Sequence, residues 1–267
     1  MKLVRVSTPS VYAKEPPLVL LHGLFGAPES FRELVSILKY PGPVLAPVLP
    51  GHGPDPEPVA SFDATLAALA AELPRRCHVL GYSLGGRLAL GLAARHADTC
   101  LRVVAVGAHP GIADPREREE RQRWDASQAE RLAREGLATF LVSWAELPLF
   151  ASQASLPRAK QAEQQAIRLS HSERGVAEAF RELGTGSMPD LSGDLARCTT
   201  PLCLVHGELD ARFASLHRAL GARAPAIRVA SIRGAGHNPV LEAPAELARL
   251  AHEFFRAAPP APLEKHP

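Results

Sequence analysis

The chain has 267 residues, of which 46% are hydrophobic and 22% are charged, and its 20 Gly and 25 Pro residues are too few for a collagen-like or disordered chain. The formal net charge of +2 argues against a nucleic-acid-binding protein, because such proteins usually carry a strong basic excess. At this length the chain can form one large α/β domain with an extensive buried core.

Short apolar runs alternate with helical stretches along most of the chain. The runs suit strands that are buried on both faces of a parallel sheet, and they lie at 18–21, 79–80, 101–106, 201–205 and 227–232. Helical stretches accompany them at 28–39, 61–73, 84–96, 211–222 and 244–256. This alternation predicts the α/β class, with a mostly parallel central sheet and helices on both faces.

The alternation stops between Gly111 and Gly186, where the sequence is polar and rich in Arg, Glu, Gln and Ala. Helical spacing is clear at 124–132 and again from Arg158 to Leu183. We interpret residues 111–186 as a helical lid inserted into a core made of residues 1–110 and 187–256. The Pro-rich tail at 257–267 is predicted to be disordered.

Targeting and metal signals are weak. Lys2 and Arg5 are not followed by the apolar stretch of a secretory signal, and no window reaches the ~18 apolar residues of a membrane span. We therefore predict a cytoplasmic protein that binds neither membrane nor nucleic acid, while the oligomeric state stays open. The cysteines are dispersed without the paired spacing of a zinc site, which favours buried, reduced thiols and no bound metal. They are Cys77, Cys100, Cys198 and Cys203.

The run Gly81-Tyr82-Ser83-Leu84-Gly85 has the G-x-S-x-G pattern of a nucleophile elbow, and it lies between a predicted buried strand and a predicted helix. Glycine on both sides of Ser83 permits the sharp strand-to-helix turn that exposes a serine hydroxyl. By itself the pattern also fits a serine in an ordinary turn.

Two further residues complete a candidate catalytic triad. Asp210 follows the predicted strand 201–205, and His237 follows the strand 227–232 within Gly234-Ala-Gly-His237. The order Ser83, Asp210, His237 is that of α/β hydrolases, in which the imidazole takes the serine proton and the carboxylate orients the imidazole. Taken singly, Asp210 could be a helix N-cap and His237 a loop histidine.

The run His22-Gly23-Leu24-Phe25-Gly26 follows the first predicted strand. In this arrangement the loop after that strand supplies one amide of an oxyanion hole, and the residue after the serine supplies the other. The candidate donors are the amides of Leu24 and Leu84. Phe25 is a close alternative to Leu24, because backbone donors do not depend on the side chain.

Several motifs match the α/β hydrolase superfamily in order and spacing. They are His22-Gly23, Leu49-Pro-Gly-His-Gly53, Gly81-Tyr-Ser-Leu-Gly-Gly86, His206-Gly-Glu-Leu-Asp210 and Gly234-Ala-Gly-His237. The chain therefore resembles the α/β hydrolases over nearly its whole length. This resemblance implies the α/β-hydrolase fold with an inserted helical lid.

Motifs of the predicted lid narrow the resemblance, since lids diverge quickly between enzymes that act on different substrates. Together with Arg87, these motifs are similar to the 2-succinyl-6-hydroxy-2,4-cyclohexadiene-1-carboxylate synthase family, the lyases of menaquinone biosynthesis. They are His109-Pro-Gly-Ile, the Arg-rich stretch 116–125, Phe140-Leu-Val-Ser-Trp144, Pro148-Leu-Phe-Ala-Ser152, Ile167-Arg168-Leu and Leu183-Gly-Thr-Gly186.

The resemblance implies a small anionic substrate, a cyclohexene with three carboxylates, and it implies no cofactor. It places Arg87, Arg121 and Arg168 against the carboxylates, with Trp144 as a wall of the lid and Tyr82 as a further substrate contact. Arginine suits this role because its guanidinium can bind a carboxylate through two hydrogen bonds. Arg118 or Arg123 could replace Arg121 if the helix is rotated, and all of these arginines could also be surface charges.

The reaction implied by the resemblance is elimination of pyruvate after proton abstraction next to a carbonyl. His237 would draw the proton from Ser83, whose Oγ takes the substrate proton, while Leu24 and Leu84 hold the enolate oxygen. One alternative is an esterase, thioesterase or carbon–carbon bond hydrolase in which Ser83 is the nucleophile. Another is a non-catalytic binding protein that keeps the fold.

Overall fold

The computed structural model describes residues 3–7 and 15–257 of the chain. Seven strands form one sheet in the order β1-β3-β2-β4-β5-β6-β7. The strands are β1 (Leu3–Arg5), β2 (Leu18–Leu21), β3 (Val44–Pro47), β4 (Cys77–Tyr82), β5 (Cys100–Val106), β6 (Leu202–Gly207) and β7 (Arg228–Ile232). Strand β1 pairs with β3 in the antiparallel direction, whereas all the other pairs are parallel.

Helices fill the connections between the parallel strands, and two further helices follow β7. They are α1 (Arg32–Leu38), α2 (Phe62–Glu72), α3 (Leu84–Arg95), α4 (Pro115–Glu135), α5 (Leu137–Ala145), α6 (Arg158–Leu169), α7 (Glu173–Leu183), α8 (Ser192–Ala196), α9 (Ala211–Arg223), α10 (Pro239–Glu242) and α11 (Pro244–Arg256), with 3-10 turns at Pro28–Phe31 and Pro148–Ser155. The predicted α/β-hydrolase class, with a mostly parallel sheet and accompanying helices, is confirmed.

Alternating side chains of the strands build two hydrophobic layers, one on each face of the sheet. Val19 and Leu21 of β2 belong to the layer that contains apolar residues of α2, α3, α8 and α9. Leu18 and Leu20 belong to the opposite layer, which contains apolar residues of α1, α10 and α11. Strands that are buried on both faces explain why β2 appears in the sequence as an uninterrupted apolar run.

Two strands differ from the sequence prediction. Neither β1 nor β3 was predicted, although β3 pairs with both β1 and β2. The apolar part of β3 is short and is flanked by Pro43 and Pro47, and proline next to a short run is typical of a loop. The sheet therefore continues beyond β2 on the side opposite to β4.

The lid segment, defined here as residues 111–186, follows β5 and contains α4 to α7. The helical pattern from Arg158 to Leu183 is interrupted at residues 170–172, where the side chain of Ser172 caps the start of α7. Apolar residues of α4, α5 and α7 form a third hydrophobic cluster, into which Phe25 of the core inserts. Our division of the chain into core and lid is an interpretation of this arrangement.

The predicted disordered tail lies, apart from Ala257, outside the described residues. Within the part of the chain that the structure describes, no helix is both long enough and apolar enough to cross a membrane. The four cysteines are unbridged, and burial raises the pKa of Cys77 and Cys203 to about 12.

Candidate active site

Ser83 lies in the turn between β4 and α3, with a positive backbone φ of 52°. The flanking glycines permit this turn. A Cβ on Gly81 would lie 2.2 Å from the Gly85 carbonyl oxygen, and a Cβ on Gly85 would lie 2.1 Å from the carbonyl oxygen of Leu21. Larger residues would therefore push the strand and the helix apart, which explains the spacing of the G-x-S-x-G pattern.

The structure brings Ser83, Asp210 and His237 together. His237 Nε2 lies 3.4 Å from Ser83 Oγ, and His237 Nδ1 lies 2.8 Å from Asp210 Oδ2. Each residue follows the carboxyl end of a parallel strand, β4, β6 or β7, so the sheet topology alone gathers them at one edge. The arrangement allows the imidazole to exchange a proton with the serine hydroxyl while the carboxylate fixes its tautomer.

Asp210 has two roles at once. Its Oδ1 accepts a hydrogen bond from the Phe213 amide at the start of α9, so it is the N-cap that the sequence also allowed. Burial acts to raise the pKa of the carboxyl, but the hydrogen bonds from His237 and Phe213 outweigh it and bring the pKa below its usual value. The carboxylate is thus ionised when it faces His237.

Leu24, whose amide is one candidate oxyanion donor, lines the same cavity as Ser83. Leu84, whose amide is the other, is the first residue of α3 and directly follows Ser83. The Leu84 amide is the first N–H of α3, and such first-turn amides have no acceptor within the helix. Leu24 lies in the turn after β2, which the hydrogen bond from Gly26 N to Gly23 O closes at 2.9 Å. The Gly85 amide donates to the His22 carbonyl at 2.9 Å and ties the two loops together. Phe25 also lines the cavity, so the choice between Leu24 and Phe25 stays open.

A cavity of about 1340 Å³ opens above the candidate triad, between the carboxyl end of the sheet and the lid segment. Trp144 and Tyr82, both expected to contact substrate, line it. Trp144 packs against Phe25, Phe140 and Phe180 at ring-centroid distances of 5.5, 5.7 and 5.4 Å. This volume exceeds the ~300–1,000 Å³ of a usual ligand pocket and accommodates a bulky substrate.

Arg87 of α3 lines the cavity although it is only 9% exposed. Its guanidinium donates to the carbonyl of Leu183 and lies 3.9 Å from the sulfur of Met188. Burial lowers the pKa of Arg87 to about 9, and the nearby charge of Arg121 contributes to this shift. The side chain is therefore charged at neutral pH, and it does not reach bulk solvent as a surface arginine would.

Arg121 is the arginine of α4 that lines the cavity, whereas Arg118 and Arg123 do not. Arg123 is exposed and pairs with Glu119 at 3.0 Å. Arg121 Nε donates to Asp125 Oδ1 at 2.9 Å, and the carboxylate of Asp125 is almost fully buried. This rotation of α4 directs Arg121, rather than Arg118 or Arg123, toward the cavity.

Arg168, near the end of α6, is 8% exposed and also lines the cavity. It donates to Gln153 Oε1 at 3.3 Å, and its guanidinium lies 5.8 Å from the centre of the Phe150 ring. Burial lowers the pKa of Arg168. Among the residues that the structure describes, neither Arg87 nor Arg168 forms an ion pair with a carboxylate.

Two acidic residues near the site were missed by sequence reasoning. Asp125 binds both Arg121 and the amide of Gly186, where the chain leaves the lid segment. Glu242 accepts hydrogen bonds from the amides of Gly236 and Asn238, at 2.6 and 2.9 Å, on the two sides of His237. The spacing of four residues between Arg121 and Asp125 was a visible signal for the first contact, because such side chains are neighbours on a helix. No comparable signal marked Glu242.

The sequence of this chain is similar to a known protein family and to several named enzymes. The family model described as the alpha/beta hydrolase family matches residues 18–250. The 2-succinyl-6-hydroxy-2,4-cyclohexadiene-1-carboxylate synthase of Serratia proteamaculans is 33% identical over 91% of this chain and 94% of its own length. The synthase of the same name from Pectobacterium atrosepticum is 32% identical over 90% of this chain and 94% of its own length.

The fold of this chain is also similar to those of solved structures. MenH from S. aureus superposes with a TM-score of 0.88 at 28% identity, covering 95% of this chain and 97% of its own. An enol-lactonase from Burkholderia xenovorans, 20% identical with a TM-score of 0.76 over 96% of this chain and 95% of its own, shares the fold. The identity, the coverage and the fold together show that this chain belongs to the 2-succinyl-6-hydroxy-2,4-cyclohexadiene-1-carboxylate synthase family of α/β hydrolases.

Proposed function

We propose that this protein is a carbon–oxygen lyase of menaquinone biosynthesis. Its substrate would be 2-succinyl-5-enolpyruvyl-6-hydroxy-3-cyclohexene-1-carboxylate, and its products the cyclohexadiene named in the family and pyruvate. Membership of the family supports this reaction. The cytoplasmic location indicated by the sequence stays a prediction.

In the proposed mechanism, Ser83 Oγ removes a ring proton next to the succinyl carbonyl while His237 takes the proton of Ser83. The electrons of the broken C–H bond move toward the carbonyl oxygen, and the amides of Leu24 and Leu84 stabilise the resulting enolate. Collapse of the enolate breaks the bond between the ring and the enolpyruvyl oxygen, and the enolate of pyruvate leaves. The proton held by His237 neutralises this leaving group, which becomes pyruvate, and the imidazole returns to its neutral form. Asp210 keeps His237 in the tautomer whose Nε2 can accept the proton, and it stabilises the imidazolium.

The observation that carries the proposal is the charge of the cavity. Arg87 and Arg168 are buried, they line the same cavity as Ser83, and neither forms an ion pair with a carboxylate among the residues that the structure describes. A buried charge is costly unless it is paired, so a substrate with several carboxylates is the complement that these side chains require. Arg121 supplies a third guanidinium at the cavity wall.

A hydrolase is the second candidate, because the same contact of 3.4 Å between Ser83 Oγ and His237 Nε2 would activate a nucleophile. The buried cavity arginines Arg87 and Arg168 favour an anionic substrate over a neutral ester. A binding protein without activity is less consistent still, since nothing in that role requires Ser83, His237 and Asp210 to be aligned.

The decisive experiment measures pyruvate release from the enolpyruvyl cyclohexene substrate beside cleavage of a short-chain nitrophenyl ester. Removing Arg87 or Arg168 leaves a desolvated substrate carboxylate unpaired, which costs roughly 2–5 kcal/mol. We therefore expect Arg87→Ala and Arg168→Ala to lower kcat/KM for pyruvate release by about 30-fold to several thousand-fold. The matched control is Arg123→Ala, which removes an exposed arginine of α4.

Ester cleavage should survive the same substitutions almost unchanged, because a neutral ester has no carboxylate for these arginines. Equal losses in both assays, or full pyruvate release by both variants, would contradict the assignment of the arginines. Rapid ester cleavage without any pyruvate release would instead support the hydrolase.

A further inference from the structure

His109 is a cavity residue that the proposed mechanism does not use. It follows β5 at the carboxyl end of the sheet, where the chain enters the lid segment, and it lines the cavity together with Ser83 and Arg87. Its ring meets the ring of Phe213 edge-on, at a centroid distance of 6.4 Å, and Phe213 in turn lies 4.7 Å from the ring of His237. The Phe213 ring thus lies between the His109 imidazole and the His237 imidazole.

The hydrogen bonding of His109 defines which nitrogen carries the proton. Nδ1 accepts a hydrogen bond of 3.1 Å from the amide of Gly111, so in the neutral ring the proton resides on Nε2. Burial, together with the nearby charges of Arg212, Arg87 and Arg121, lowers the pKa of His109 to about 4. Among the residues that the structure describes, none accepts a hydrogen bond from Nε2–H. Because His109 lines the cavity, a bound substrate could supply that acceptor.

We propose that His109 is a substrate-binding residue whose Nε2–H donates a hydrogen bond to a substrate carboxylate held by Arg87 and Arg121. A neutral donor suits this position. It adds a directional hydrogen bond to the carboxylate without adding a further positive charge beside arginines that already repel one another. The inference rests on the proposed function, because it requires an anionic substrate in the cavity.

The competing explanation is structural: His109 could serve only to hold the turn through its bond with Gly111. Two substitutions separate these roles. In His109→Asn the side-chain amide reaches the position of Nδ1, so the bond with Gly111 can persist while the distal donor is lost. In His109→Gln the longer side chain brings an N–H group to the position of Nε2, while the bond with Gly111 is lost.

The experiment measures kcat and KM for pyruvate release, and thermal unfolding, for the wild-type protein and both variants. We expect His109→Asn to raise KM by about 10- to 100-fold, as for loss of a hydrogen bond to a charged group, with little change in kcat. His109→Gln should stay within about threefold of the wild-type KM, since one donor replaces another. The control His252→Asn, on the exposed side of α11, should leave KM unchanged.

The comparison of the two variants decides the inference. A wild-type KM in His109→Asn with an impaired His109→Gln would assign His109 to the turn alone and refute the proposal. Equal KM values in the two variants, whether raised or unchanged, would refute it too. A wild-type protein that releases no pyruvate would refute the proposed function itself, and the inference with it. The KM ratio of His109→Asn to wild type should also be constant from pH 6 to 8, because a neutral donor does not titrate in that range.

Discussion

Asp125 accepts a hydrogen bond of 2.9 Å from Arg121, and its other carboxylate oxygen accepts one of 3.1 Å from the amide of Gly186. One buried side chain therefore joins a cavity arginine to the turn at which the chain leaves the lid segment. The same turn begins just after Leu183, whose carbonyl accepts from Arg87. The positions of two cavity arginines thus depend on one connected set of contacts.

The first prediction concerns Asp125→Asn, which keeps the size of the side chain but removes its charge and one acceptor. A hydrogen bond to a buried charged group contributes about 1.5–3 kcal/mol, so the free energy of unfolding should fall by about that amount in urea. The control is Glu119→Gln on the same helix, whose ion pair with Arg123 is exposed and should contribute only about 0–1 kcal/mol. Equal stabilities of the two variants would show that the Asp125 contacts do not stabilise the lid segment.

The second prediction is that Ser83→Ala lowers kcat for pyruvate release by about 10²- to 10⁴-fold, the usual contribution of a positioned acid–base group. The free energy of unfolding should change by less than about 0.5 kcal/mol, because alanine keeps the backbone conformation and loses one hydroxyl. Ser127→Ala, which removes a hydroxyl bonded within α4, is the control. If Ser83→Ala kept most of the turnover, Ser83 would have a purely structural role.

The third prediction concerns Glu242, whose carboxylate binds the amides on both sides of His237. In Glu242→Gln one oxygen becomes a donor, so one amide loses its acceptor and the loop that carries His237 loosens. We expect kcat to fall by about tenfold for the loss of one such bond, with KM nearly unchanged. Glu253→Gln, which breaks an exposed pair with Arg249 on α11, should leave kcat as it is. A rise in KM at constant kcat would contradict a positioning role.

The fourth prediction is a loss of stability at mildly acidic pH. Burial lowers the pKa of His22 to about 3 and of His78 and His217 to about 4. Below about pH 6.5 the unfolded chain binds protons that these folded histidines cannot bind, so the free energy of unfolding falls as pH decreases. Each histidine contributes up to ~1.4 kcal/mol per pH unit. The lowered pKa of Asp210 acts in the same direction, but only near and below pH 4.

Urea unfolding at pH 7, 6 and 5 measures this slope. His78→Phe should make it shallower, because phenylalanine keeps the stacking on Phe255 and removes one titrating group. If the free energy of unfolding stayed constant or rose from pH 7 to 5, the prediction that these buried histidines destabilise the protein at acidic pH would be wrong.

Much of the fold follows from the sequence, because strands buried on both faces leave continuous apolar runs and parallel strands gather loop residues at one edge. Ser83, Asp210 and His237 could be brought together on that basis alone. Strand β3 could not be predicted, since Pro43 and Pro47 enclose its short apolar run and its pairing with β1 depends on distant residues.

The contacts of the individual side chains were harder to predict. The rotation of α4, which directs Arg121 and not Arg118 or Arg123 to the cavity, depends on the burial of Asp125. Glu242 supports His237 by accepting hydrogen bonds from neighbouring backbone amides. Almost every residue has such an amide, so the sequence does not indicate this contact. The family resemblance supplied Arg87, Arg121 and Arg168, which composition alone would assign to the surface of an Arg-rich chain.

Phe25 links the position of an amide to the packing of the lid segment. Its ring lies 6.0, 5.5 and 5.9 Å from the rings of Phe140, Trp144 and Phe180, while its backbone directly follows Leu24. A displacement of α5 or α7 would therefore pull on the loop whose amide is to stabilise the enolate. A ligand that displaces either helix would therefore also shift the candidate oxyanion donor. A chimera that carries the lid segment of another family member would therefore need aromatic side chains at the positions of Phe140, Trp144 and Phe180, which surround Phe25.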